Sequence, residues 1–245
     1  MAVALSFNIG ILFPGVNTSS AADYKKPPSR SQPITKISSD WPKWISGAKQ
    51  GIRNGVPTWV SIARLNGVKI TGPAATEGRL IAPSLFGLIV NPMSESGAPK
   101  PLADGFMGAV SDAWQVWANS VRVPGLPWYP AFASWPGPIA PPTPNVPTPL
   151  RSLAQDFSGL APVPLANSIK ARIGDAANWP GGNEAINEFC AWFNAGFVGW
   201  LNYSVIRSVM GSGPVPQFAP PSVPVGPVIG GVGSDGRIDG APRWP

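Results

Sequence analysis

The sequence contains no histidine, one cysteine and few charges, which make up 12% of its 245 residues. Without an imidazole there is no histidine-based triad and no Cys/His zinc site, and a lone Cys190 cannot form an internal disulfide framework. Neither a nucleophile elbow nor a P-loop lysine occurs. The letters Gly231-Val-Gly-Ser-Asp-Gly236 fit a dinucleotide fingerprint, but nothing after them can supply the helix that the motif requires, so the segment is expected to be a flexible stretch. Asp235 and Asp239 fall short of a calcium cage, and Cys190 has no activating base. Glu184 and Glu188, one turn apart, are explained by favourable placement near a helix start. No catalytic, cofactor-binding or metal-ligating residue is assigned, and the expectation is a protein that is not an enzyme.

What the chain has in quantity is proline and glycine, 32 and 28 residues, roughly double ordinary usage. Such chains often fail to bury enough apolar surface to order themselves. Here 44% of residues are hydrophobic and eleven are tryptophan, so the rings must be buried somewhere, in this chain's core or against partners. The expected class is α+β with low regular secondary-structure content.

Charge is unevenly placed. Residues 1–79 carry ten basic side chains against three acidic, whereas the remainder carries eight against nine. A basic N-terminal third on a near-neutral body suits contact with an acidic partner, with Lys25, Lys26 and Arg30 as the expected contacts and non-specific nucleic acid as one such partner.

Along the chain, Leu5, Phe7, Ile9 and Ile11 alternate with period two, which predicts a short N-terminal strand rather than a signal peptide, since no positive charge precedes the run. Residues 1–40 form this strand and a basic extended arm. Residues 41–100 hold a small helix and a β-hairpin: Asp40 caps a helix that presents Trp41, Trp44, Ile45 and Ala48 on one face. Asn66-Gly67 between Trp59–Leu65 and Val68–Thr71 predicts a type I′ turn, with Leu80–Ala82 and Leu85–Val90 extending the sheet.

Two aromatic helices follow, one near 105–121 with Phe106, Val110, Trp114, Trp117 and Val121 on one stripe, the other near 185–210 with Phe189, Trp192, Phe193, Phe197, Trp200 and Leu201. Each precedes a proline-rich arm, 136–149 and 214–227, too rich in proline for a helix or a central strand. The units 101–150, with a start as early as 79, and 151–230 share ordered matches, such as Gly137-Pro-Ile139 with Gly213-Pro-Val215, which suggests a degenerate tandem repeat. Residues 231–245 form a Gly-rich C-terminal tail. Phe189 to Ile206 is uncharged over eighteen residues, the lower limit for a bilayer span, although its one-sided aromatic stripe favours packing.

These features describe a structural assembly protein of virion type, a minor capsid, cement or tail-baseplate component that laces neighbouring subunits. Its expected interface residues are Trp114, Trp117, Trp192, Trp200, Pro141, Pro142, Pro220 and Pro221, and no cofactor is implied. The alternatives are a membrane-associated subunit anchored through 189–206 and a proline-rich binding module.

Overall fold

The computed structural model describes residues 40–154, 156–218, 225–240 and 244. The N-terminal strand, Lys25, Lys26, Arg30, Pro220 and Pro221 lie outside them. In chain order the elements are α1 (Trp41–Ile62), β1 (Arg64–Thr71), β2 (Ala74–Ile81), α2 (Phe86–Glu95), α3 (Lys100–Ser120), β3 (Val123–Leu126), β4 (Trp135–Pro136), β5 (Ile139–Pro144) and β6 (Thr148–Pro149). They continue with α4 (Pro162–Ile173), α5 (Gly182–Tyr203), β7 (Val205–Arg207), β8 (Met210–Pro214), β9 (Val225–Gly226), β10 (Ile229–Ser234) and β11 (Arg237–Asp239). The class is α+β, but regular structure is abundant: about 53% of the described residues are helical and 26% are in strands. Much of the proline is accommodated in the first turn of α1, α3 and α4, where a missing N–H costs no hydrogen bond, and on outer strands, while Pro57 and Pro92 lie inside α1 and α2.

The helices touch in a closed ring, α1 to α2 to α3 to α4 to α5 and back to α1. The ring is filled by aromatic side chains. Trp59, Trp114, Trp117, Phe197 and Trp200 pack mainly edge to face or tilted, with Trp114 and Trp117 ring centroids 4.9 Å apart, and Trp244 closes the cluster against Phe193 and Trp200. Phe106 and Phe189 continue it at 4.9 Å. Every residue of the stripe Phe106, Val110, Trp114, Trp117 and Val121 is buried, as its period implies. Several indole N–H groups, those of Trp114, Trp117 and Trp200 among them, have no hydrogen-bond partner among the described residues, and the neighbouring ring faces are the available weak acceptors.

α1 is longer than its N-terminal signal suggests. Asp40 does accept from the Lys43 N–H at 3.4 Å, but the helix runs on through Trp59, where the local residue types favour a strand. Tertiary packing decides this. Gly47, Gly51 and Gly55, four apart, form a bare strip on α1 against which the α2 backbone lies directly: a Cβ at Gly47 would sit 2.6 Å from the Pro92 carbonyl oxygen, and one at Gly55 2.8 Å from that of Leu88. This seat also explains why Leu85–Val90 does not extend the sheet. In the helix, Ile89 and Met93 fall on one buried face that fits over the strip.

The hairpin is present, but its turn is Gly72-Pro73, and Asn66-Gly67 lies inside β1. The positive φ that Asn-Gly invites is used in an irregularity opposite Glu77-Gly78, where Gly67, Glu77 and Gly78 have φ of 74°, 61° and 78°. The same break crosses the whole sheet. β10 gives way to β11 at Asp235 (φ 62°), β8 follows β7 through Ser208 (φ 58°), and β5 leads to β6 through Asn145. On one side of this crease the order is β3-β2-β1-β10-β8-β5, and on the other β11-β7-β6. Side chains replace the missing ladder bonds. Asn145 Oδ1 accepts from the Val209 N–H at 2.9 Å while its Nδ2 donates to the carbonyls of Val146 and Ile206, and Asn66 Oδ1 accepts from the Asp235 N–H at 2.6 Å. The pairing register is the same on both sides of the crease, with Val232 opposite Ser212 and Ile238 opposite Ile206, so the positive φ values at Asp235 and Ser208 mark it without any inserted residue.

Three further expectations change. The Gly-rich stretch 231–236 is not a flexible loop: residues 229–234 form an interior strand, and glycine is needed there because a Cβ at Gly233 would sit 3.0 Å from the Tyr129 hydroxyl and from Val209. The second aromatic helix ends at Tyr203, and residues 205–207 are a strand, so 189–206 is not one helix. No helix among the described residues is long and apolar enough to cross a membrane. Finally, the segments expected as separate units share one sheet, since β1 pairs with β10 and β8 with β5, and one continuous core.

Candidate functional site: a basic sheet face

Reactive groups are few and each has a structural place. Cys190 is fully buried in α5, and burial pushes its thiol up to about 12, with nearby Lys170 acting weakly the other way. Tyr129 is buried too, donates to the Val209 carbonyl at 2.9 Å, and titrates well above the ordinary phenol range because of burial. Glu184 lies in the first turn of α5, and Glu188 is paired with Lys49 at 2.7 Å. Among the described residues no group of three or more His, Cys, Asp or Glu side chains could hold a metal ion.

The expected interface residues divide. Trp114, Trp117 and Trp200 point into the chain's own core. Trp192 is half-buried at the surface, flanked by the cations of Lys49 and Arg53 at 5.6 and 5.5 Å from its ring centroid. Pro141 and Pro142 are exposed on β5, in the irregularity between Ala140 and Thr143. The first arm is thus laid along its own sheet, against β8 and then β7.

The surface with unexplained chemistry is the solvent face at the crease. In β11 and β7, Arg237 stands directly opposite Arg207, with Ile238 and Ile206 beside them turned into the core. Like charges in this position are destabilising unless something offsets them. Arg64 is next in the row, since Leu65 is bridged to Gly236 and Arg64 is the residue before it. Its guanidinium is turned back to the carbonyls of Ser61 and Ala63 at 2.8 and 2.7 Å, where a cation suits the C-terminal end of α1. Among the described residues Arg207 and Arg237 form no ion pair. The carboxylates nearby in sequence are Asp239, two residues along and opposite Val205, and Asp235, whose neighbour Ser234 donates to it at 3.2 Å. Glu77 is taken by Lys69 at 2.7 Å, both exposed.

Next to this row is a groove. β3 stops pairing with β2 at Val123, and the last residues of β2 are left beside the end of α3. The gap is about 500 Å³ and is lined by Arg79, Ile81, Gln115, Asn119 and Arg122 together with Leu80 and Ala82. Exposed aliphatic side chains continue over the sheet: Ile81 is 58% exposed, Val232 62% and Ile139 66%.

Sequence reasoning weighed charge along the chain and so missed Arg122, Arg207 and Arg237, which belong to a stretch with near-zero net charge. The available signal was the crease. Arg207 precedes Ser208 and Arg237 follows Asp235-Gly236, so both flank turn-prone residues inside otherwise strand-like runs. No known protein family, curated protein or solved structure matches this chain.

Proposed function

We propose that this chain is a non-enzymatic structural assembly protein, a subunit of a large particle of virion type, of the minor capsid, cement or tail-baseplate kind. The observation that carries the reading is the composition of the sheet's outer face, where exposed Ile81, Ile139, Ile229 and Val232 accompany arginines placed side by side. Aliphatic surface with arginine is the make-up of a protein interface rather than of a solvated sheet. Both outer strands of the larger sheet carry proline, Pro124 in β3 and Pro141, Pro142 and Pro144 in β5, and proline cannot donate to an added strand. Contact therefore occurs through the face and not by edge-to-edge pairing.

Because residues 139–149 are engaged with their own sheet, lacing between subunits falls to the arm around Pro220 and Pro221 and to the N-terminal arm with Lys25, Lys26 and Arg30. Trp192, at the surface between two cations, is a further contact. The tandem duplication belongs to the same proposal. It is supported by the two arms pairing with each other, Ile139 opposite Pro214.

Density-gradient fractionation of the native source tests the reading, with nuclease and mild detergent as variables and mass spectrometry to locate the chain. Co-migration with a large detergent-resistant particle is expected. Recovery as a free chain, or flotation with lipid and release by detergent, would refute it.

A further inference from the structure

We infer that the arginine row at the crease is a binding site for the phosphate backbone of nucleic acid. The row is assembled from three chain segments far apart in sequence, so it exists only in the folded chain and is separate from the basic N-terminal arm. Arg237 and Arg207 stand on adjacent strands about 4.8 Å apart, while Arg64, next in the row, keeps its guanidinium on the carbonyls at the end of α1. A duplex presents one phosphate charge per about 1.7 Å of axis, enough to face the Arg237 and Arg207 guanidinium groups at once, whereas carboxylates on a folded protein are spaced singly. Guanidinium groups keep their charge and fork onto phosphate oxygens. Arg79 and Arg122, with the Gln115 and Asn119 amides, extend the site into the neighbouring groove as further phosphate and sugar contacts. Sequence preference is not expected, because nothing in this set is arranged to read base edges.

An isolated Arg207–Arg237 pair costs stability, and a bound phosphate removes that cost. The inference adds to the assembly reading without depending on it. A subunit can join a particle and never touch its nucleic acid, and a nucleic-acid-binding chain need not be part of a particle.

The test uses the full chain and the double variant Arg207→Gln/Arg237→Gln. A control variant, Lys43→Gln/Lys100→Gln, removes the same charge at the N-terminal ends of α1 and α3. Binding of a labelled duplex of about 30 base pairs is followed by fluorescence anisotropy between roughly 50 and 200 mM salt. Each lost phosphate contact lowers the slope of log K against log salt by about 0.9, so the arginine variant loses about 1.8, and its affinity falls about tenfold less over that salt range than the parent's. The control keeps the parental slope.

The arginine variant's urea midpoint stays level or rises, since a like-charge pair has been removed, and this separates lost binding from unfolding. No binding by the parent, equal slope changes in both variants, or arginine-dependent binding to vesicles of anionic phospholipid but not to the duplex would each overturn the inference.

Discussion

Replacing Gly51 by alanine puts a methyl group inside the van der Waals envelope of the Ile89 carbonyl oxygen, closer than the corresponding approaches of 2.6 and 2.8 Å at Gly47 and Gly55. The obstacle is backbone, so no side chain can swing aside, and α2 must lift away from α1. A radial gap of about 0.5–1 Å forfeits between a quarter and a half of each dispersion contact. Overpacking of this kind costs about 3 kcal/mol at the upper end of its usual range. Alanine is about 1 kcal/mol better than glycine in a helix, which leaves a net loss of about 2 kcal/mol, or roughly 4–8 °C in Tm for a domain of this size. Gly199 is the matched control, because it lies inside α5 with nothing within 4 Å of its added Cβ, and Gly199→Ala is expected to stabilise by about 0.5–1 kcal/mol. Urea unfolding followed by tryptophan fluorescence, with the slope checked for constancy, measures both. Equal midpoints for the two variants, or a Gly51→Ala chain as stable as the parent, would refute the helix-on-helix seat.

Asn145→Leu removes three side-chain hydrogen bonds from the crease and leaves the buried Val209 N–H without its Asn145 acceptor, so a loss of about 2 kcal/mol is expected in the same assay, and a change below about 1 kcal/mol would count against the crease as a structural joint. Cys190 should resist alkylation in the native chain at pH 8 and react only on unfolding; rapid native labelling would contradict its burial. Its raised folded-state value also has a sign. The unfolded thiol ionises near 9 and the folded one near 12, so the stability contribution is complete below pH 9 and declines as pH rises toward 12, by about 1.4 kcal/mol per pH unit. Cys190→Ala should remove that part of the alkaline slope, leaving the later part to Tyr129, and an unchanged slope would contradict the assignment.

The readable parts of the fold were those set by local periodicity. The N-cap at Asp40, the Trp41–Trp44–Ile45–Ala48 face and the stripes of α3 and α5 lie where 3.6-residue spacing puts them, because an amphipathic helix declares its buried side. Long-range fits did not show in this way. Gly47, Gly51 and Gly55 act only because another backbone lies on them, and a single sequence does not distinguish such glycines from helix breakers. Asn66-Gly67 did signal positive φ, but an in-register break between paired strands uses that conformation as well as a turn, and Gly72-Pro73 took the turn. Arg207 and Arg237 became neighbours through strand pairing, so the basic face was invisible to charge counted along the chain. Of the expected interface set, the tryptophans best suited to an interface were equally suited to a core, and Trp114, Trp117 and Trp200 went there.

The central claim is that the sheet's outer face is the surface buried on assembly, and side-chain footprinting by hydroxyl radicals, comparing the isolated chain with the native particle, tests it most directly. The account predicts that Ile139, Ile229 and Val232 become protected in the particle while Val163, 70% exposed on α4, reacts equally in both. Unchanged reactivity over the sheet, with protection confined to the helical side, would contradict it.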